Sequence, residues 1–321
     1  MEIGFLTPLG ALLAAGVLLP LLALVGVSSR AARLREALGL ARLARRRLVA
    51  PVLAASGAAA LVGLAAAQPV LERTVPQRVR TDAEAYVVLD ISRSMLAREE
   101  PGAATRFARA KAVAAQVRAG LPGVPVGLAS LTDRVLPHVF PSADEDVFAA
   151  ALADSIAIER PPPRSSFLSR ATSFDALAEI ATRRYFSPAA RHRLVVVLSD
   201  GESEPVTAAR VGRLFGRSPA IQTLFVHFWD EGERVFTRGA SEPQYRPDPN
   251  ARTILDGLAV ATGGQVFGER EGAAATEAAR QALGTGPTQV EGRRRDPVAL
   301  APLFAAGAFL PLGLLLWRRD R

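Results

Sequence analysis

The chain of 321 residues contains no cysteine, which excludes disulfides, thiolate metal sites and cysteine nucleophiles. Histidine is scarce as well. The three histidines, His138, His192 and His227, lie far apart and no two have the spacing of one helix face, which argues against a zinc site. The chain also lacks a G-x-S-x-G elbow and a histidine placed to activate a serine, so the sequence does not favour a hydrolase.

The central region has almost no excess of charge. Residues 69–296 carry 29 basic and 28 acidic side chains, whereas the whole chain has a net charge of +8. The positive excess therefore lies at the two ends, and the central region offers no phosphate-binding surface, so we expect no nucleic-acid partner. With 49% hydrophobic and 22% charged residues, the chain has the composition of a protein with a well-buried core.

Three runs contain no charged residue, namely 3–27, 48–67 and 297–317. Each has the roughly 20 apolar residues that a membrane-spanning helix needs. The alternatives are buried core helices or, for the first run, a cleaved signal peptide, which its acidic start and its length disfavour. The sequence predicts a multi-pass protein of the cell membrane, with two amino-terminal transmembrane helices and one carboxyl-terminal transmembrane helix.

The loop at 28–47 contains seven arginines and one glutamate, and the positive-inside rule places such a loop in the cytoplasm. The chain between the second and third spans is then extracytoplasmic. The predicted organisation is two spans with their loop (1–68), a linker (69–83), a domain (84–285), a linker (286–296), the last span (297–317) and a tail (318–321).

Short apolar runs alternate with helical patterns within the predicted domain. "AYVVLD" and "RLVVVLS" are typical of strands, "VPVGLASLTD" and "VLPHVFPSAD" of a hairpin, and "TRFARAKAVAAQVRAGL" and "TSFDALAEIATRRYF" of helices. This order predicts an α/β fold with a doubly wound, mostly parallel sheet. Ligands of such sheets bind beyond the carboxyl ends of the strands, which is where Asp90 and Asp200 lie in the sequence.

Asp90, Ser92 and Ser94 follow the first strand at alternate positions in "LDISRSM". Side chains two residues apart point the same way while the chain is extended, so these three can converge on one point. Carboxylate and hydroxyl oxygens of this kind suit Mg²⁺. The local alternative is helix capping and turn formation, which Asp and Ser also favour. A second motif, ending in Asp200 on another strand, favours the metal.

The stretch "AYVVLDISRSM", followed by a threonine-containing helix start and then by "VVVLSDGES", resembles the von Willebrand factor type A (VWA) domain over roughly residues 84–285. The resemblance implies a metal-ion-dependent adhesion site that holds Mg²⁺, or Mn²⁺, through Asp90, Ser92, Ser94, Thr172 and Asp200. The third-loop position differs from the pattern of relatives. Thr172 stands four residues before Ala176, where five are usual, and Ser169 or Ser173 could serve instead.

The order of spans, arginine-rich loop, domain and closing span is similar to that of bacterial membrane proteins of aerotolerance (Bat-type) operons, which are commonly encoded near MoxR-type AAA+ ATPases. Our main hypothesis is a domain without a reaction of its own that binds a protein partner. Five or fewer protein oxygens leave the cation a position open to water, and a carboxylate of the partner can displace that water. Residues 230–250 have little periodicity and are predicted to rim that site or to contact the partner.

Two rival hypotheses remain. In one, the protein is an assembly or chaperone component that works with a MoxR-type ATPase and other VWA membrane proteins. In the other, Asp90 is the nucleophile of a phosphoryl-transfer enzyme, although the sequence shows no convincing second acid beside it.

Overall fold

The structure is a computed structural model that describes residues 2–17, 30, 37–38, 46–163 and 172–319. The chain forms two compact units, one of residues 1–76 with 292–321 and one of residues 77–291.

The strands are β1 (Glu2–Phe5), β2 (Pro69–Arg80), β3 (Ala83–Asp90), β4 (Val126–Leu131), β5 (Val135–Ser142), β6 (His192–Ser199), β7 (Ile221–His227), β8 (Phe236–Thr237), β9 (Ala240–Ser241), β10 (Gln265–Gly268) and β11 (Thr288–Ala299). The α-helices of the described residues are α1 (Arg46–Ala66), α2 (Arg106–Ala119), α3 (Glu145–Ala150), α4 (Ala178–Thr182), α5 (Ala208–Phe215), α6 (Ala251–Thr262), α7 (Gly272–Leu283) and α8 (Ala301–Arg319).

The first unit contains α1, α8, a 3-10 helix at Pro8–Val17 and a small sheet in which β2 lies between β1 and β11. Helix α1 packs against α8 and against the 3-10 helix. Strands β2 and β11 pair with each other over much of the two predicted linkers, 69–83 and 286–296. Most of the chain in these linkers is therefore extended strand.

Within the described residues, no helix combines the length and the hydropathy that crossing a membrane requires, so the prediction of three spans is not supported. The run 3–27 begins with a strand and a 3-10 helix, and its residues 18–27 lie outside the described part of the chain. The run 48–67 lies almost wholly in α1, which is rich in small alanine and glycine residues. The run 297–317 begins in β11 and has Pro311 inside its helix.

The second unit is built on a six-stranded sheet with the order β10-β7-β6-β3-β4-β5. All neighbouring strands are parallel except β4 and β5, which form the predicted antiparallel hairpin. The central strands β3 and β6 are apolar along most of their length and are buried on both faces, which explains their β-branched runs. The predicted α/β fold with a mostly parallel sheet is confirmed.

Helices cover both faces of this sheet. Val87 and Leu89 of β3 point into one core, which α2, α3 and α7 close, while Tyr86 and Val88 point into the other, which α4, α5 and α6 close. Successive side chains of a strand point to opposite faces of the sheet, so alternate residues of β3 lie in different cores.

Helix α4 is shorter than its sequence pattern predicts. The pattern over 172–186 yields a 3-10 turn at Phe174–Leu177 and then α4, which ends before Arg183. Tyr185 and Phe186 are both buried in the core. We attribute the early end of α4 to this packing. Helix α3 is likewise brief and continues as a π-helical turn at Ala151–Ser155.

The chain enters and leaves the second unit at the amino-terminal edge of the sheet. The backbone N–H of Thr81 donates to the carbonyl of Pro287 (3.2 Å), and Arg80 Nη1 donates to the carbonyl of Gly284 (2.7 Å). Asp90 lies at the other end of β3, so the two ends of this unit leave it on the side opposite the candidate site.

Candidate metal centre

Two aspartates stand at the same edge of the sheet because their strands are parallel neighbours. Asp90 ends β3, and Asp200 directly follows β6, which pairs with β3 from Ala83 to Leu89. A third segment reaches this edge at Thr172, which forms an isolated parallel bridge with Ser203. Asp90, Asp200 and Thr172 are all completely buried.

Asp90 accepts hydrogen bonds on both carboxylate oxygens. Thr172 Oγ1 lies 2.9 Å from each of them, the backbone N–H of Ser92 donates to Oδ1 at 2.9 Å, and Ser199 Oγ donates to Oδ2 at 2.6 Å. These contacts place Thr172 at the site. Ser173 lies next to it and uses its backbone N–H on the carbonyl of Thr132, and Ser169 lies outside the described residues.

The two serines of "DISRSM" lie together at the same point. Ser92 Oγ and Ser94 Oγ are 3.0 Å apart, and the Ser94 hydroxyl partly opposes the rise that burial causes in the pKa of Asp200. Ser92 stands at the N-cap position of the 3-10 helix Arg93–Leu96, but its hydroxyl makes no capping hydrogen bond. Helix capping therefore does not account for Ser92, and the structure brings together all five residues that the VWA resemblance implies.

Burial sets the proton affinity of the acids at this edge. Burial, and then the neighbouring Asp200 charge, raise the pKa of Asp90 to about 7. Burial also raises the pKa of Asp200, and burial with the Asp200 charge raises the pKa of Glu202 to about 7. An added cation at this edge would relieve the cost of burying these carboxylates.

The donor set fits a hard divalent cation. It consists of two carboxylates and three hydroxyls, which are the ligand types of Mg²⁺ and Mn²⁺. Within the described part of the chain, no cluster of three or more His, Asp or Glu side chains is arranged to hold a metal. The candidate site therefore depends on the hydroxyls of Ser92, Ser94 and Thr172 as well as on its two acids.

Several residues of the site were not predicted. Ser199 is not among the predicted ligands. Its hydroxyl donates a hydrogen bond to Asp90 Oδ2 and accepts one from the backbone N–H of Gly201 (3.0 Å). Arg106 is not among the predicted site residues, yet it is fully buried and pairs with Asp200 (3.1 Å). An arginine in the first turn of a helix carries no sequence signal of such burial. Glu233 and Tyr245, which also contact Arg106, lie in the segment 230–250 that was predicted to rim the site.

Comparison with known proteins shows the fold. No protein-family model matches the chain, and no curated protein matches it either. A solved structure of an aerotolerance-related membrane protein from Bacteroides fragilis matches with a TM-score of 0.50 at 20% identity, covering 63% of this chain and 98% of that one. BatB from Bacteroides thetaiotaomicron matches with a TM-score of 0.50 at 17% identity, covering 62% and 98%. The VWA domain of SpRpn10 matches with a TM-score of 0.37 at 13% identity, covering 58% and 87%.

At these identities the likeness is one of fold. The second unit has a VWA-like α/β fold, and the resemblance to Bat-type VWA proteins inferred from the sequence is confirmed at that level.

Proposed function

We propose that this domain binds a protein partner through a divalent cation, Mg²⁺ or Mn²⁺, held by Asp90, Ser92, Ser94, Thr172 and Asp200, and that it catalyses no reaction. The observation that carries the proposal is the convergence of two buried carboxylates and three hydroxyls from three chain-distant segments. A local role in turns or caps would not require them to meet.

The side chains of the site have separate tasks. Asp90 supplies a negative charge that no lysine or arginine of the described residues contacts, and Thr172 and Ser199 fix its orientation. Ser92 and Ser94 present neutral oxygens beside it. When bound, a divalent cation supplies a strong, directional contact for a carboxylate of the partner.

Direct titration of the purified chain with Mg²⁺ and with Mn²⁺ by calorimetry tests the metal site. We expect one site per chain for each ion, and we expect Asp90→Ala to abolish it. Asp256→Asn is the matched control, because Asp256 is exposed on α6 and pairs with Arg252 one helical turn away. Wild-type protein that binds neither ion would refute the proposal.

The same variants test the partner. Tagged protein is used to capture partners from membranes with and without EDTA, and partners bound through the metal should be lost both with EDTA and in Asp90→Ala. A partner whose affinity is unchanged by either treatment binds elsewhere.

The assembly hypothesis predicts a different contact. There, a MoxR-type ATPase would bind the arginine-rich loop 28–47, most of which lies outside the described residues. A peptide of residues 28–47 that retains such an ATPase, in the presence of EDTA, would favour that hypothesis over the metal face.

An extracytoplasmic location on the cell membrane is part of the proposal and rests on the sequence alone. The three uncharged runs and the seven arginines of the loop 28–47 support it. Reporter fusions after residue 290 test it, since an extracytoplasmic reporter should be active there. A fusion that is active only in the cytoplasm would overturn this orientation.

Phosphoryl transfer at Asp90 has less support. Asp200 does lie beside Asp90, so a second acid is present after all. Asp90 is nevertheless fully buried, and a phosphate ester needs much more room beside the carboxylate than a single cation does. Turnover of a simple phosphate ester that disappears in Asp90→Asn would reverse this conclusion.

A further inference from the structure

A β-hairpin lies in the segment between β7 and α6, at the edge of the sheet that carries the candidate metal site. Because β7 is the parallel neighbour of β6, its carboxyl end reaches the same edge as Asp200. Strands β8 and β9 pair antiparallel within this segment, and Arg238 and Gly239 form the turn between them. The hairpin is therefore a candidate for contact with the partner.

The base of this hairpin is attached to the loop that carries the two serines of "DISRSM". Arg98 of that loop and Arg234, which lies two residues before β8, exchange backbone hydrogen bonds of 3.0 and 2.9 Å. Arg93, which stands between the two serines, forms an ion pair with Glu242, directly after β9. Contacts at both ends of the hairpin thus hold its base beside the hydroxyls of the site.

Further contacts fix the hairpin in one position. The backbone N–H of Glu242 donates to the carbonyl of Val235 (2.9 Å), and Val235 is buried. The Arg98 guanidinium lies over the Phe236 ring, 5.7 Å from its centroid. A binding element that is already ordered loses less conformational freedom when a partner binds.

The turn of the hairpin contains an arginine where the backbone favours other residues. The φ angle is 53° at Arg238 and 83° at Gly239. Two successive positive φ angles are typical of a type I′ turn, in which Asn, Asp or Gly is favoured at the first position because other side chains are crowded there. The turn by itself therefore does not account for an arginine at this position.

The Arg238 side chain is exposed at the tip of the hairpin, and within the described part of the chain its guanidinium has no hydrogen bond or ion pair. Two neighbouring arginines differ, since Arg93 pairs with Glu242 and Arg234 donates to two backbone carbonyls. A guanidinium presents a planar fork of donors that matches the two oxygens of a carboxylate. Arg238 thus offers a binding point for an acid from outside the domain.

We propose that Arg238 binds a second acidic side chain of the protein partner whose first carboxylate reaches the metal. This inference rests on the proposed metal-mediated function and deepens it, because it specifies a partner surface with two acids at a fixed separation. Two ladder pairs separate the turn from Glu242, which places the tip about 7 Å beyond that residue at about 3.4 Å per residue. One partner surface can therefore reach both the metal and the arginine.

Rigid peptides with two acids measure this separation. Proline rods with a glutamate at each end and blocked termini, Glu-(Pro)n-Glu with n from 2 to 6, span about 9–22 Å at about 3.1 Å per residue. Each rod is titrated into the Mn²⁺-loaded full chain, beside the same rod with one glutamate replaced by glutamine. We expect at least one length to bind about 10-fold more tightly than its glutamine counterparts, as an added charged hydrogen bond predicts. A series in which no length shows this gain would overturn the inference.

Substitution at the tip assigns the second acid to its cation. Arg238→Asn should abolish the gain and leave Mn²⁺ binding unchanged. Because Asn and Gly adopt positive φ readily, Arg238→Asn and Arg238→Gly should both melt at or above the wild-type temperature, so loss of the hairpin would not explain the result. Arg217→Asn is the matched control, since it removes one exposed arginine that precedes β7 at the opposite edge of the sheet. A gain that survives in Arg238→Asn, or that is lost equally in Arg217→Asn, would contradict the role of Arg238.

Failure of the proposed function gives a distinct result. Wild-type protein that binds no Mn²⁺ refutes both the metal-mediated function and the inference. Wild-type protein that binds Mn²⁺ but gains nothing from a second acid refutes the inference alone.

Discussion

The two ends of strand β3 carry aspartates in opposite circumstances. Asp82 precedes the strand at the edge where the chain enters and leaves, and Arg80 Nε donates to its Oδ1 at 2.8 Å. That hydrogen bond lowers the pKa of Asp82. Asp90 ends the same strand and is fully buried, and the donors that contact it among the described residues are neutral; burial, and then the Asp200 charge, raise its pKa to about 7.

The difference is that Asp82 already has a counter-ion, whereas Asp90 has none among the described residues. Asp82 has its counter-ion within the protein, so it stabilises the fold and requires nothing further. Within the part of the chain that the structure describes, Asp90 is surrounded by hydroxyls that orient a carboxylate but cannot neutralise it. A buried acid without a cation raises the free energy of the folded state, and a bound metal is the group that would offset this.

The largest expected effect is on metal binding. Asp90→Asn should weaken Mg²⁺ binding by at least about 100-fold, the upper end of what loss of a supporting group around a metal costs, because it removes the uncompensated charge. Asp82→Asn should leave Mg²⁺ binding unchanged. Calorimetric titration measures the Mg²⁺ affinity of both variants. An equal loss of affinity in the two would show that Asp90 is no more important for Mg²⁺ binding than Asp82.

The pH dependence of metal binding comes next. Because Asp90 must lose its proton to bind a cation, its pKa of about 7 predicts binding roughly 30-fold weaker at pH 5.5 than at pH 8. The metal-free protein should show the opposite trend in stability. The folded state holds a proton on Asp90 that the unfolded state has released between about pH 4 and pH 7, so the free energy of unfolding falls as pH rises through that window.

Thermal melting with and without Mg²⁺ at several pH values measures both trends. The increase in melting temperature caused by Mg²⁺ should be larger at pH 8 than at pH 5.5. An increase that is independent of pH would show that Asp90 is already ionised in the metal-free protein.

A smaller effect is expected at the third segment. Thr172→Val keeps the shape of the side chain but removes the hydroxyl that lies 2.9 Å from both oxygens of Asp90, so Mg²⁺ binding should weaken by about 10-fold. Thr172→Ser restores a hydroxyl and should recover most of the affinity. Titration of the pair separates loss of the oxygen from loss of packing. Equal affinity in Thr172→Val and the wild type would exclude Thr172 from the site.

The smallest effect is expected at the other end of the strand. Asp82→Asn removes a partly exposed ion pair with Arg80 and should lower the free energy of unfolding by only about 0.5–1 kcal/mol at pH 7. Because the pKa of Asp82 is lowered, this stabilisation should be present above about pH 4 and be lost at more acidic pH. Urea unfolding at pH 7 and at pH 3 measures it, and an unchanged difference between the two proteins at pH 3 would contradict the assigned role of Arg80.

Much of the fold could be predicted because it follows from local patterns. The runs "AYVVLD" and "VVVLS" form central strands since β-branched residues that are apolar on both faces suit a sheet covered on both sides. The helical pattern "TRFARAKAVAAQVRAGL" forms α2, and Thr105 caps it by accepting a hydrogen bond from the backbone N–H of Ala108. The patterns failed where tertiary packing prevails over periodicity, as in the short helix α4, after which Tyr185 and Phe186 enter the core.

The sequence by itself determined which oxygens gather at the site, because Asp90, Ser92, Ser94 and Asp200 stand at fixed offsets from two strand ends, and parallel neighbours bring such ends to one edge. Only the tertiary structure decided how the acids are charged and held. Arg106 begins a helix and looks solvent-exposed in the pattern, yet the fold buries it against Asp200, Glu202 and Glu233. Burial and the distance between charges set a carboxylate's proton affinity, and both arise only when segments far apart in the chain are packed together.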